Sequence, residues 1–142
     1  MKTYDPKDFP LVFNGILIEG FAEGTFITIE ETTPGFSSVV GAYGDVVHAR
    51  SHDRRGTCRF TLQQTSEVNK RLSDLYNADR NGVRSGVGEF SLSHKGGDTL
   101  HQGSKARLVA SPPGTFDATP GTREWTIEIA DLQMTHAGQA DD

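Results

Sequence analysis

One cysteine in 142 residues excludes an internal disulfide. Cys58 sits among Thr57, Arg59 and Phe60 on the apolar side of an alternating run, so a buried, inert thiol is expected. No stretch approaches the roughly 20 apolar residues of a membrane span. Met1 to Pro10 has neither a basic start nor an apolar run to serve as a secretion signal, so synthesis in a cytosol-like solution is expected. With one Trp and three Tyr, exposed rings for stacking sugars or bases are in short supply. Apolar residues make up only 35% of the chain, against 16 glycines. That balance predicts a modest core, many turns and short strands in place of long helices. The length still suits one domain spanning residues 1–142, with residues 1–10 as an N-terminal arm and 137–142 as a frayed tail.

The clearest pattern is a strand running into a helix. In Thr57 to Leu62, Cys58, Phe60 and Leu62 point one way while Thr57, Arg59 and Thr61 point the other. Gln63-Gln64-Thr65-Ser66 then forms a polar hinge, and Ser66 is placed to cap a helix from Glu67 to Asn77. Val68, Leu72, Leu75 and Tyr76 gather on its core face, leaving Asn69, Lys70, Ser73 and Asp74 for water. Every other periodic segment predicts strand. Leu11-Val12-Phe13 and Ile16-Leu17-Ile18 flank Asn14-Gly15, a strong signal for a two-residue hairpin turn, and their arms are apolar on both faces. Thr25 to Glu30, Glu89 to Ser93, Leu100 with Lys105 to Ala110, and Arg123 to Ile129 supply further strands, the last extendable through Leu132 and Met134. Lys95 to Asp98 is a turn, and Pro112 to Gly121 an irregular loop. Residues 31–56 predict a long protruding hairpin or loop. Its apolar members, Phe36, Val39, Val40, Tyr43, Val46 and Val47, would be poorly covered in a lone subunit.

The net charge of −5 is unevenly spread. Residues 1–44 carry −4 and residues 112–142 carry −5, whereas 45–60 and 61–111 each carry +2. Acidic ends around a basic middle permit contact between copies, with Arg50, Arg54 and Arg55 as basic and Glu124 and Glu128 as acidic candidates. The overall sign argues against nucleic-acid binding. No aromatic interleaves the arginine cluster.

Catalytic and metal patterns fail one by one. His48 and His52 stand in a strand-like stretch, where their spacing puts them about 13 Å apart. His94, His101 and His136 lack companion ligands in sequence and are expected to be solvated or capping. Asn77-x-Asp79-x-Asn81-Gly82 opens like a calcium loop, but its twelfth position is Gly88, and a polar helix stop explains the same residues. No serine occupies a Gly-x-Ser-x-Gly elbow, and the glycines 82, 86 and 88 make no phosphate fingerprint. Glu124 and Glu128 are too far apart along one strand for a glycosidase pair. Neither cofactor nor metal is expected.

Three segments in this order and spacing carry a resemblance. Phe13-Asn14-Gly15 with Gly20 to Ile27, then Thr61 to Ser66 opening the helix, then Gly121-Thr122-Arg123-Glu124-Trp125 resemble the tail tube proteins of contractile-tailed bacteriophages. Glu67 stands where proline would be expected as the first helical residue. The resemblance implies a mainly β fold, an antiparallel β-sandwich or barrel with one flanking α-helix. It also implies hexameric rings that self-assemble into the inner tube of a contractile tail, with tail sheath and baseplate proteins as partners and DNA passing through without specific binding. The expected location is the virion, after synthesis in the host cytoplasm, and no catalytic residues carry over. Under this reading the six apolar residues from Phe36 to Val47 form the ring-to-ring contact. The alternative is a ligand- or glycan-binding β-sandwich module of a virion or cell surface, and a virion hydrolase is a third possibility.

Overall fold

A computed structural model describes residues 5, 7, 9–24, 27–94 and 100–136. Thr25 and Phe26 of the expected third strand, the expected turn from Lys95 to Asp98, the tail 137–142 and most of the N-terminal arm lie outside the described residues.

Among the described residues, ten strands and one helix follow in chain order: β1 (Leu11–Phe13), β2 (Ile16–Ile18), β3 (Ile27–Glu31), β4 (Phe36–Val40), β5 (Val46–Arg50), β6 (Gly56–Gln63), α1 (Val68–Arg80), β7 (Gly88–Ser93), β8 (Leu100–Ala110), β9 (Thr122–Ile129) and β10 (Gln133–Thr135). The main sheet runs β2-β1-β7-β8-β9-β6-β3, with β10 beside β8, and every pairing is antiparallel. This is the mainly β, antiparallel, one-helix fold that the patterning predicts. The sheet is not a closed barrel. Among the described residues its path ends at β2 and β3, and Phe21, just past β2, forms an isolated bridge to Leu62 of β6.

Asn14 and Gly15 both take positive φ, the two-residue turn that matches the twist of flanking strands. Leu11, Phe13 and Ile18 are buried, but Val12 and Leu17, opposite each other on the second face, are only partly covered. Cys58, Phe60 and Leu62 of β6 meet Trp125 and Ile127 of β9 in the core, as alternation requires. Burial pushes the Cys58 thiol up to about 12, so it stays protonated and inert. The segments around Leu100 and Lys105 are one continuous strand, irregular near Ala110. One expectation needs correction. Leu132 and Met134 do not extend β9, because the chain turns beyond Ile129 and Met134 joins β10 against His101 of β8. Asp131 fixes that turn by accepting the backbone N–H groups of Ser104 and Lys105 at 3.0 and 3.1 Å and the Ser104 hydroxyl.

Helix α1 packs Val68, Leu72 and Leu75 into the core, with Tyr76 against its margin. It starts differently from the prediction. Ser66 does not cap it: the hydroxyl donates to Glu19 O at 2.8 Å, and Glu67 stands at the helix start without a side-chain cap. The hydroxyl is turned toward that tertiary carbonyl, and its oxygen accepts no N–H of the first helical turn. Nor is Asn69 left to water. Its Nδ2 donates to Gln63 O at 3.0 Å, and its Oδ1 receives the Trp125 indole N–H at 3.0 Å. The helix also runs past Asn77 to Arg80, where Gly82 at φ +71° closes it with Val83 N–H on Ala78 O and Gly82 N–H on Asp79 O. That double bond to trailing carbonyls is the glycine stop, and Asp79 pairs with Arg107 at 3.0 Å instead of facing a calcium loop.

Candidate assembly surface

Beyond Glu31 and Gly56 the β3–β6 pair continues as a separate two-stranded ribbon, β4 with β5. All ten strand residues are exposed. The register sorts its side chains. Phe36, Ser38 and Val40 share one face with Arg50, His48 and Val46, while Ser37 and Val39 share the other with Ala49 and Val47. Phe36, Val39, Val40, Val46 and Val47 are each 58 to 65% exposed, and Tyr43 at the turn is 98% exposed. The structure therefore brings all six predicted apolar residues together on one projection. Because Val40 and Val46 lie on one face and Val39 and Val47 on the other, the end of the ribbon is apolar on both sides.

An elbow built on Asp53 joins ribbon to sheet. Its carboxylate accepts the Thr33 hydroxyl at 2.7 Å, the Arg55 backbone N–H at 3.1 Å and two guanidinium N–H groups of Arg55 at 2.9 and 3.0 Å. Thr32 N–H to Arg55 O and Ser51 N–H to Gly35 O carry the pairing across the bend. The hydrogen bonds from Arg55 and Thr33 hold the Asp53 carboxyl far below the usual carboxylate range, and Asp53 raises Arg55 in turn. Asp53 and Thr33 were not singled out in the sequence. An aspartate two residues before Arg55, in a glycine- and proline-rich stretch, is the signal that was there to find.

The charged candidates fall into two places. Arg50, Arg54 and Arg55 cluster at the ribbon root. Arg50 lies over the Phe36 ring at 5.9 Å, Arg55 is engaged with Asp53, and Arg54 is exposed. Glu124 and Glu128 project from the outer face of β9, opposite Thr61 and Thr57 of β6, and Glu128 also opposes Arg107 of β8. On the same face Arg59 pairs with Glu30 at 3.0 Å.

The histidines correct another expectation. His94 and His101 are buried, and His136 is exposed with its ring 4.8 Å from that of His101. The cause is register: His101 lies opposite Leu92 and Met134, so it shares their covered face, and Phe9 packs on His94 at 4.6 Å. Among the described residues no group of three His, Cys, Asp or Glu side chains is placed to hold a metal.

A phage tail tube family, described as the Bacteriophage PhiTE tail tube protein, matches residues 14–136. The chain belongs to this tail tube family. It is also 30% identical to "Structural protein ORF10" of Pseudomonas phage KPP10, over 96% of this chain and 83% of that protein. Solved structures show the same fold at low identity. The anti-feeding prophage tube-terminating cap matches with a TM-score of 0.58 at 8% identity, over 99% of this chain and 93% of that one. The sheath/tube terminator of the extracellular contractile injection system PVC gives 0.59 at 13%, over 96% and 99%. A chain of the native gene transfer agent virion gives 0.61 at 12%, over 94% and 100%. The tail tube relationship makes this a structural virion protein and not an enzyme.

Proposed function

We propose that the chain, acting over its full length as one unit, is the repeating subunit of a contractile tail tube, closing into hexameric rings that stack into a hollow inner tube. The observation that carries this reading is the β4–β5 ribbon, a wholly exposed projection with six apolar side chains that a lone subunit leaves in water. The ribbon makes the ring-to-ring contact. Identical subunits can cover such a surface and the open edges of β2 and β3 together, and a contact between unlike patches propagates into a filament. The net charge of −5 suits a lumen through which DNA slides without adhering. Sheath and baseplate proteins are the outer partners, and synthesis takes place in the host cytoplasm before assembly into the virion.

Negative-stain electron microscopy of concentrated protein tests the reading. Tubes of uniform width with a ring repeat are expected. Monomers alone under every salt condition would overturn it.

A second reading is favoured by the terminator folds among the structural relatives. In it the chain closes the tube end as a single ring. The same micrographs separate the two, since a terminator yields rings that do not stack.

A further inference from the structure

The ribbon and an apolar groove lie at opposite ends of β6. The groove, about 720 Å³, is lined by Phe9, Pro10, Leu17, Ile18, Phe21 and Ala22, with Lys7, Glu19 and Glu23 at its polar positions. Gly20 and Gly24, at φ +78° and +84°, hold the chain along it in turns that only glycine adopts without strain. Gln63 N–H to Gly20 O at 2.8 Å and Ala22 N–H to Thr61 O at 3.0 Å fasten this segment beside the last residues of β6. The ribbon leaves from the first residue of β6, where Glu31 pairs with Gly56. Eight strand residues separate the two attachments, roughly 23 Å at strand rise.

Resting on the tube-subunit reading, we propose that the tip of the β4–β5 ribbon of one copy seats in the β2-side groove of a second copy, head to tail along β6. Three observations fix the occupant as another copy of this chain. The projection leaves one end of β6 and the groove lies at the other, so each subunit offers a knob and a hole that a second copy can fill. Such a contact between unlike patches repeats from copy to copy, and it propagates into a filament where its rotation does not close a ring. The tip is apolar on both faces, which suits a cleft rather than a flat surface, and the groove provides six apolar side chains. The charges are of opposite sign as well: the ribbon root carries Arg50 and Arg54, and the groove carries Glu19 and Glu23.

Disulfide trapping tests the assignment. The native thiol, Cys58, is buried and does not compete. Tubes of a Tyr43→Cys, Leu17→Cys double variant should give a covalent ladder on oxidation. Either single variant should stay monomeric on a denaturing gel, and mixing the two should give dimers only. Val40→Cys with Glu23→Cys repeats the measurement should the first pair assemble poorly. A cross-link formed within unassembled monomers overturns the proposal. Absence of any ladder in tubes that Tyr43→Asp abolishes also overturns it, assigning the groove to another occupant such as a sheath subunit while the ribbon remains a ring contact. Absence of a ladder in tubes that Tyr43→Asp leaves intact overturns the ribbon contact as well.

Discussion

Trp125 of β9 and Asn69 of α1 are joined through a single hydrogen bond, indole N–H to amide oxygen, at 3.0 Å. The same amide donates to Gln63 O, so one side chain holds strand, hinge and helix together. Replacing Asn69 with Ala leaves the half-buried indole N–H and the Gln63 carbonyl without these partners, which costs about 1–3 kcal/mol. Asn69→Asp keeps an acceptor for the indole but sets a carboxylate oxygen against the Gln63 and Gln64 carbonyls, and should also fall below wild type. Urea unfolding followed by Trp125 fluorescence measures both, and equal stability of all three proteins would deny the junction its role.

Asp53 predicts a different phenotype, because it fixes a bend and touches no core. Asp53→Ala should leave the core transition unchanged while the ribbon amides of Thr32 and Arg55 exchange faster and tube yield falls. The pH dependence follows from the sign of the shift. A carboxyl held below its unfolded value near 3.9 stabilises the elbow above that pH and loses the contribution as pH falls toward its folded value. The bend should therefore persist from neutral pH to about pH 4 and loosen only in stronger acid. Amide exchange of Arg55 across that range reads it directly.

His101 works in the opposite pH region. Burial first, and His136 beside it second, lower its pKa below the ordinary 6.5. The unfolded chain then binds a proton that the folded one refuses, so stability falls as pH drops through about 6.5 and levels off below the folded value. His101→Leu should remove part of that slope, with little change at pH 8. Melting temperatures of both proteins at pH 8 and pH 5.5 are the check, and parallel curves would locate the slope elsewhere.

The alternating strands were legible because one face of each meets water and the other the core. Trp125, Ile127 and Ile129 on β9, and Cys58, Phe60 and Leu62 on β6, are buried as their spacing predicts. Asn14-Gly15 was legible because its turn demands two positive φ angles. Failures arose where a polar side chain chose between local and distant partners. Ser66 donates its hydroxyl to the remote carbonyl of Glu19, and Asn69, partly buried, turns to the Trp125 indole, contacts that sequence spacing does not encode. His94 and His101 were misplaced for a related reason. The burial of His101 depends on β10 returning to β8, a pairing fixed by the turn at Asp131, and Phe9 packs on His94, neither of which the pattern around either histidine encodes. On the exposed ribbon the six apolar residues were legible by composition, whereas the Asp53 elbow and the opposite ends of β6 required the fold.

Tyr43 and Phe36 test the assembly surface most directly. Tyr43 is almost wholly exposed at the tip, and Phe36 is exposed at the root beneath the Arg50 guanidinium. Neither belongs to the core, so Tyr43→Asp and Phe36→Asp should change stability by no more than about 0.5 kcal/mol, as surface substitutions usually do. In the proposed tube contact the same changes would bury an unpaired carboxylate, at a cost on the order of several kcal/mol per contact. Because each subunit repeats the contact, even a partial penalty should abolish tubes while circular dichroism and melting stay near wild type. Phe36→Asp adds an attractive charge beside Arg50 that offsets some of the penalty, so Tyr43→Asp should be the more severe. Sedimentation of both variants with wild type alongside measures the order, and full-length tubes from Tyr43→Asp would remove the tip from the interface.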